Sequence, residues 1–385
     1  MTSTKSSRLA YTRPPFANCL LALGFAVGTA TASSPPPAPA RPAPAAFRHP
    51  GVLNTQQSLA AAATQLKAGN KTRLAGYQQV VSYIDKHAVP ATFPAVVYAV
   101  AGAGSPTEDQ IRRDAELAYA YALRWATTGE AAAAQQASTI LNGYANTFQR
   151  YDTAPKPDGS PTPLRQTYLE AAWVTPTFVA AAEILRYYRV RGKQSAGWSA
   201  AEAAKFSGFL AKLKTGYIDP LPASADWVNN WQVSCGYAQL ALGVWFDDRA
   251  YYEQGYAYTL KVLPQVFYPN GNVKELCDRD CHHPQYTLTG LTDAAEIARL
   301  QGDKALYEFG NQQIRVGWEK LADALAHNAS SCADCSQHRE VWPGIEVAAG
   351  YYGTPRLVAL RDLGAPYGVP SDDTFAGFTS LTHGR

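Results

Sequence analysis

The sequence predicts an all-α protein, an incomplete α/α toroid of antiparallel helical hairpins, and three observations carry that expectation. Apolar residues recur at helical spacing through nearly the whole body of the chain. Strand-like alternation is scarce, and Gly and Pro cluster between the periodic runs, as at 155–163 and 269–271. The runs are long and mostly joined by short connections, which make consecutive helices antiparallel neighbours. A superhelical repeat array shares these features, but no fixed sequence period is present.

Taken in order, residues 1–32 read as a secretory signal. Lys5, Arg8 and Arg13 form a basic start, residues 17–29 an apolar run, and Ala30-Thr31-Ala32 a cleavage site. The run is shorter than the ~20 residues a membrane-spanning helix needs, and no later stretch is long and apolar enough to span. A secreted or periplasmic location follows. Residues 33–46, SSPPPAPARPAPAA, read as an extended Pro/Ala tether without a core. Residues 47–385 contain no linker-like stretch and are expected to form one catalytic domain.

Within that body, helical runs are expected at 55–68, 72–87, 105–126, 130–149, 164–190, 226–246, 248–263, 286–301, 304–327 and 341–362. A further helix starts at Ser199-Ala200-Ala201-Glu202, which has capping-box spacing, as does Ser105-Pro106-Thr107-Glu108. Pro176 is expected to end or kink its helix. Helical patterning persists to about residue 362, so no C-terminal β-domain is expected.

The formal charge is +3, from 34 basic and 31 acidic residues. Three of the basic residues lie in 1–32 with no acidic one, so the remainder is balanced. Without a global positive field, nucleic-acid binding is disfavoured. An acidic ligand must be recognised by local arginines in a cleft. Of six cysteines, Cys19 leaves with the signal. Pairs Cys277–Cys281 and Cys332–Cys335 would leave Cys235 as a buried thiol, and cross-pairing is equally open. Cys277, Cys281, His282, His283, Cys332, Cys335 and His338 also offer a zinc ligand set. An oxidising compartment favours disulfides, so neither metal nor cofactor is expected.

Two segments stand apart chemically. Asp226-Trp227-Val228-Asn229-Asn230-Trp231 sets two asparagines between tryptophans at a helix start; the alternative is an N-cap followed by core tryptophans. Cys277-Asp278-Arg279-Asp280-Cys281-His282-His283-Pro284-Gln285-Tyr286 gathers two of the chain's seven histidines with an arginine, two acids and a tyrosine. Its alternative reading is a polar loop stapled by cysteines. There is no Gly-x-Ser-x-Gly elbow. Asn, Arg, His and Tyr together suit proton abstraction beside a carboxylate: donors stabilise charge developing on it, and a phenol whose pKa a nearby cation lowers can exchange protons with the sugar.

These residues resemble the alginate lyase family of helical-toroid polysaccharide lyases, from His49-Pro50-Gly51-Val52-Leu53 to about residue 327. The matching pieces include Leu169-Glu170-Ala171-Ala172-Trp173, Asn229-Asn230-Trp231 and Leu242-Gly243-Val244-Trp245-Phe246-Asp247-Asp248. The most specific is Arg279-Asp280-x-x-His283-x-Gln285 followed by Gly290-Leu291-Thr292-Asp293-Ala294-Ala295-Glu296-Ile297-Ala298. The resemblance implies that Asn230 neutralises a substrate carboxylate, and that Arg279 and Tyr286, seven residues apart, assist elimination. The alginate-cutting branch has a histidine directly after this asparagine, where Trp231 stands here.

The expected activity is β-elimination of a 1,4-linked uronate polymer (alginate, polymannuronate or glucuronan), leaving 4,5-unsaturated ends. Tyr286 is the expected proton-transfer residue, serving as base and acid. Asn230 and Arg279 stabilise the carboxylate, and His283 orients or charges the site. Asn229, His282, Gln285, Trp227, Trp231 and Trp173 are expected to contact substrate. The expected partner is an acidic polysaccharide taken by a monomer. Without a histidine at 231, polymannuronate or glucuronan should be preferred over polyguluronate. The rivals are a glycoside hydrolase using Asp226 and Asp280 or other carboxylates, and a non-catalytic glycan-binding protein.

Overall fold

The computed structural model describes residues 46–328, 331–338 and 340–384; the signal, the cleavage site and nearly all of the tether expected from the sequence lie outside them. Fourteen helices fill the described part. They are α1 (Gln56–Lys67), α2 (Lys71–Lys86), α3 (Pro106–Thr128), α4 (Ala131–Thr147), α5 (Arg165–Tyr187), α6 (Ala200–Leu213) and α7 (Asn230–Trp245). There follow α8 (Arg249–Val262), α9 (Lys274–Asp278), α10 (His283–Leu300), α11 (Ala305–Leu325), α12 (Gly344–Tyr352), α13 (Pro355–Gly364) and α14 (Thr379–Thr382). Two short strands, β1 (Val96–Ala99) and β2 (Arg150–Thr153), pair in parallel with Val96 opposite Arg150. No described helix is long and apolar enough to cross a membrane.

Burial sorts the helices into two layers. In α5, α7 and α10 nearly every residue is buried, including their polar ones. These form an inner row in which α3 packs on α5, α5 on α7, α7 on α10 and α10 on α12; the row returns through α14 and α2 to α3. Outer helices are amphipathic and back onto it, with α4 on α3, α8 on α7 and α11 on α10. The arrangement is the expected α/α toroid. The α7–α8 hairpin closes tightly because Gly243 faces α8: a Cβ there would lie 2.6 Å from the Tyr252 Cα.

Local signals hold with instructive exceptions. Ser199 and Glu202 form a reciprocal capping box. Ser105 caps α3, but the Glu108 carboxylate turns away to accept from the Val100 amide at 2.9 Å and to pair with Arg112. Helix α5 runs through Pro176 rather than ending there; its burial on all sides outweighs the one missing backbone bond. Helix α11 is interrupted at Phe309–Gln312, where Gly310, Asn311 and Gln312 take left-handed conformations.

The cysteines pair across loops, Cys277–Cys332 and Cys281–Cys335, leaving Cys235 free and buried. Neither short-range pair forms. With all four sulfurs so used, the zinc set is dismantled, and no group of metal-binding side chains occurs among the described residues.

Candidate active site

A cavity of about 410 Å³ opens where the N-terminal turns of four inner helices meet. Glu108, Asp109 and Arg112 come from α3; Gln166, Leu169 and Trp173 from α5; Asn230 and Trp231 from α7; His283 and Tyr286 from α10. Arg279, Asp372 and the 100–104 loop complete the lining. Helices of one layer share a direction, so their positive ends point into this space, a field that favours anions.

On α10, Asp280 sets the geometry. Its Oδ1 accepts from the His282 and His283 amides (2.9 and 2.8 Å), capping the helix, while Oδ2 lies 2.6 Å from His283 Nδ1. That contact fixes the Nδ1–H tautomer and leaves Nε2 as the basic nitrogen. Burial and then the Arg279 charge hold the His283 pKa below its usual value, Asp280 opposing them. The imidazole is therefore neutral at pH 7.

Tyr286 is 7% exposed. It stacks on Trp173 (centroids 5.2 Å apart) and meets Trp342 edge-on. Its hydroxyl donates to the Asp372 carboxylate and lies 3.2 Å from His282 Nε2. Sequence reasoning gave this phenol a cationic neighbour; the structure gives it a carboxylate. Burial and then Asp372 push the Tyr286 pKa far up, with only Arg112 pulling strongly the other way. Burial also acts against the Asp372 charge, but hydrogen bonds from His282, Tyr286 and Thr374 outweigh it and hold that pKa low. The hydrogen bond with Asp372 in turn raises His282, whose Nδ1 is 3.9 Å from Glu340.

Asn230 is buried and its Nδ2 donates to Glu275 Oε1 at 2.6 Å, leaving the second amide hydrogen for the cavity. Glu275 also accepts from Thr287 at 2.7 Å and lies 3.7 Å from Arg279 Nη1, so one carboxylate positions both expected donors. Burial raises its pKa, which those hydrogen bonds partly offset.

The remaining expected contacts divide. Trp173 and Trp231 line the cavity; Trp227 stands outside it, 39% exposed and edge-on to Trp231. His282 is set behind Tyr286. Asn229 is an N-cap, its Oδ1 accepting from the Trp231 amide at 2.9 Å. Gln285 is buried and bridges to the Glu340 carbonyl and the Trp342 amide. Asn229 thus spends its amide oxygen on a cap and Gln285 ties both ends of its amide to backbone, and neither is among the residues lining the cavity. Asp226 is not among the lining residues and Asp280 is engaged with His283, so the carboxylate pair of the hydrolase reading is not assembled.

Sequence reasoning missed Arg112, Glu108, Glu170, Gln166, Glu275 and Asp372. Arg112 Nη2 contacts Glu108 (2.7 Å) and Glu170 (2.6 Å), and the guanidinium lies 5.1 Å from the Trp173 ring centre. Burial and then Glu170 raise the Glu108 pKa, with Arg112 and the Val100 amide opposing them.

The alginate lyase family model matches residues 54–331. None of the curated protein sequences matches this chain. Among solved structures the fold is similar to alginate lyase A1-III from Sphingomonas species A1 (16% identity, TM-score 0.64, covering 88% of this chain and 97% of that one). A variant of A1-III complexed with a tetrasaccharide gives 16% identity, TM-score 0.65 and the same coverage. An alginate lyase from Bacteroides ovatus gives 12% identity, TM-score 0.64, and covers 87% of this chain and 99% of that one. These identities speak for the fold alone, but the family model spans most of the chain: it belongs to the alginate lyase family of polysaccharide lyases.

Proposed function

We propose that this chain cleaves a 1,4-linked polyuronate by syn β-elimination, with His283 as base and Tyr286 as acid. The observation that carries the reading is the placement of these two rings. Both line one cavity from a single turn of α10, with centroids 5.5 Å apart. Rings at that separation touch each other, and no sugar fits between them. They therefore approach a bound uronate from the same side.

His283 Nε2 takes the C5 proton. The electron pair forms the C4–C5 double bond, the bond from C4 to the glycosidic oxygen breaks, and Tyr286 gives its proton to that oxygen. His282 then returns a proton to the phenolate at 3.2 Å. Charge gathers on the substrate carboxylate as C5–H breaks, where Asn230 and Arg279 donate to it. This division replaces the expectation that Tyr286 alone is base and acid: burial and Asp372 keep the resting phenol protonated and so unfit as the base, while the phenolate that the acid step forms has His282 at 3.2 Å to reprotonate it.

In mannuronate and glucuronate the C5 proton and O4 lie on one side of the ring; in guluronate they lie on opposite sides. Polymannuronate or glucuronan is thus the substrate class that fits, and polyguluronate is not. The protein works as a secreted or periplasmic monomer, a setting that its two disulfides suit. Initial rates on polymannuronate, polyguluronate and glucuronan, read from ultraviolet absorbance of the unsaturated product, test the reading. Faster cleavage of polyguluronate would sink the same-side assignment.

A further inference from the structure

The cavity poses an electrostatic problem for a polyanion. Its lining carries three acids, Glu108, Asp109 and Asp372, against two arginines. Arg112 is already saturated by two carboxylates, and Arg279 lies near Glu275 and Asp280. One guanidinium beside the cavity has no such partner. Arg165 opens α5, adjacent to the lining residue Gln166, and its Cζ lies 5.7 Å from the Trp227 ring centre and 5.9 Å from that of Trp231. Its Nε is buried and finds no acceptor, and its guanidinium makes no ion pair among the described residues.

That combination is hard to explain as packing alone. A buried donor without an acceptor carries a desolvation penalty. Asp226 and Glu170 are both near in sequence to this cluster, but no ion pair joins either to Arg165, and Glu170 is held by Arg112. Trp227 is one of only five exposed large apolar side chains among the described residues, and its ring lies against this arginine. An exposed indole, a second indole forming the cavity wall and a planar cation packed against both match a pyranose with a carboxylate substituent. The apolar face of the sugar stacks on indole, and the carboxylate meets the guanidinium fork.

We propose that Arg165, Trp227 and Trp231 form an acidic-sugar subsite that holds a uronate residue next to the one undergoing elimination. It rests on the polyuronate reading above and adds the place where affinity for the polymer resides. Here Trp231, which stands where the alginate-cutting branch has a histidine, is a wall of the subsite instead of a reactive group. Arg165 touches no reacting atom, so its contribution is to binding and leaves the elimination step unaltered.

The test is calorimetric binding of polymannuronate and glucuronan to the full chain in a Tyr286→Phe background, which stops turnover, with and without Arg165→Ala. A neutral β-1,4-glucan serves as the control. The expected result is a Kd about tenfold weaker for the polyuronate, which corresponds to ~1.4 kcal/mol. With Tyr286 restored, Arg165→Ala should raise KM by a similar factor and change kcat less than about twofold. Trp227→Ala, at an exposed position where folding is not at stake, should weaken binding in the same direction. An unchanged Kd in both variants, no polyuronate binding at all, or an equal loss for the neutral glucan overturns the subsite. Arg165-dependent binding without any unsaturated product from the wild-type chain would keep the subsite and remove the lyase mechanism.

Discussion

Replacing Asp280 by Asn separates the two tasks of this carboxylate. Asn still offers an Oδ1 to the His282 and His283 amides, now at 2.9 and 2.8 Å, and Asn and Asp cap helices about equally well. Opposite His283 Nδ1, however, the Asn amide is a donor where the carboxylate was an acceptor at 2.6 Å. The imidazole must then move its proton to Nε2, the position that takes the C5 proton. A buried triad carboxylate replaced in this way costs ~10⁴ in kcat. The Asp280 side chain is 42% exposed, so solvent screening should reduce the loss to about 10- to 100-fold. Asp280 also raises the His283 pKa against burial and Arg279. Its loss therefore shifts the acidic limb of the pH–rate profile to lower pH, while melting stays within about 2 °C of wild type. Asp280→Ala should lose the cap as well, about 1 kcal/mol. Ultraviolet initial rates from pH 4 to 9 with parallel thermal melts check this. Wild-type kcat in a folded Asp280→Asn protein would refute His283 as the base.

Tyr286→Phe should abolish elimination while thermal melting shows a retained fold, since the ring keeps its Trp173 and Trp342 contacts; near-normal activity would remove Tyr286 from the mechanism. Asn230→Ala and Arg279→Ala should mainly lower kcat, because each donor matters most as charge builds on the carboxylate; a pure rise in KM would make them binding groups only. Wild-type activity should fall as pH drops through the lowered His283 pKa, below about 6.5, because the protonated ring cannot accept the C5 proton; a flat profile from pH 7 to 4.5 contradicts this. Reduction of the two disulfides under native conditions should cut activity before far-ultraviolet circular dichroism changes, since both tie the Arg279 segment to 332–335; full activity in the reduced protein would show that segment to be self-supporting.

The architecture was legible because helices announce themselves locally, through period, caps and Gly/Pro breaks. The 283–286 turn was legible for a related reason: its unusual residues are consecutive, so one short stretch displayed them. What the sequence hid are partners distant in the chain. Asp372 sits in Ser371-Asp372-Asp373-Thr374, indistinguishable from a solvent-exposed turn, and only the return of the C-terminal segment brings it to Tyr286, 86 residues away. Glu108 read as a capping residue because it has the capping spacing, yet its carboxylate serves the Val100 amide and Arg112. Glu170 lay inside a motif but gave no sign of its role until α3 and α5 packed together. The same limit applies to the cysteines, whose spacing left short-range and crossed pairs equal; the fold decided by laying 332–335 against 277–281.

The acidic lining is compatible with an acidic substrate because Glu108 and Asp372 each have a basic partner at hand. Burial and then Glu170 raise the Glu108 pKa, and the charge it does carry is met by Arg112 at 2.7 Å. Asp372 is ionised, and its hydrogen bond and charge raise the His282 pKa, which favours a positive ring beside it. Against what remains stand the N-termini of α3, α5, α7 and α10, each equivalent to about half a positive charge. The carboxylates thus organise proton positions without setting the field that the substrate meets. Asp280 orients a base that burial and Arg279 keep neutral, and burial and Asp372 keep an acid protonated. Two groups on one turn of α10 are thus shifted in opposite directions, His283 down by burial and Arg279, and Tyr286 up by burial and Asp372, while Asp280 at the start of that helix and Asp372 from the far end of the chain fix where their protons sit.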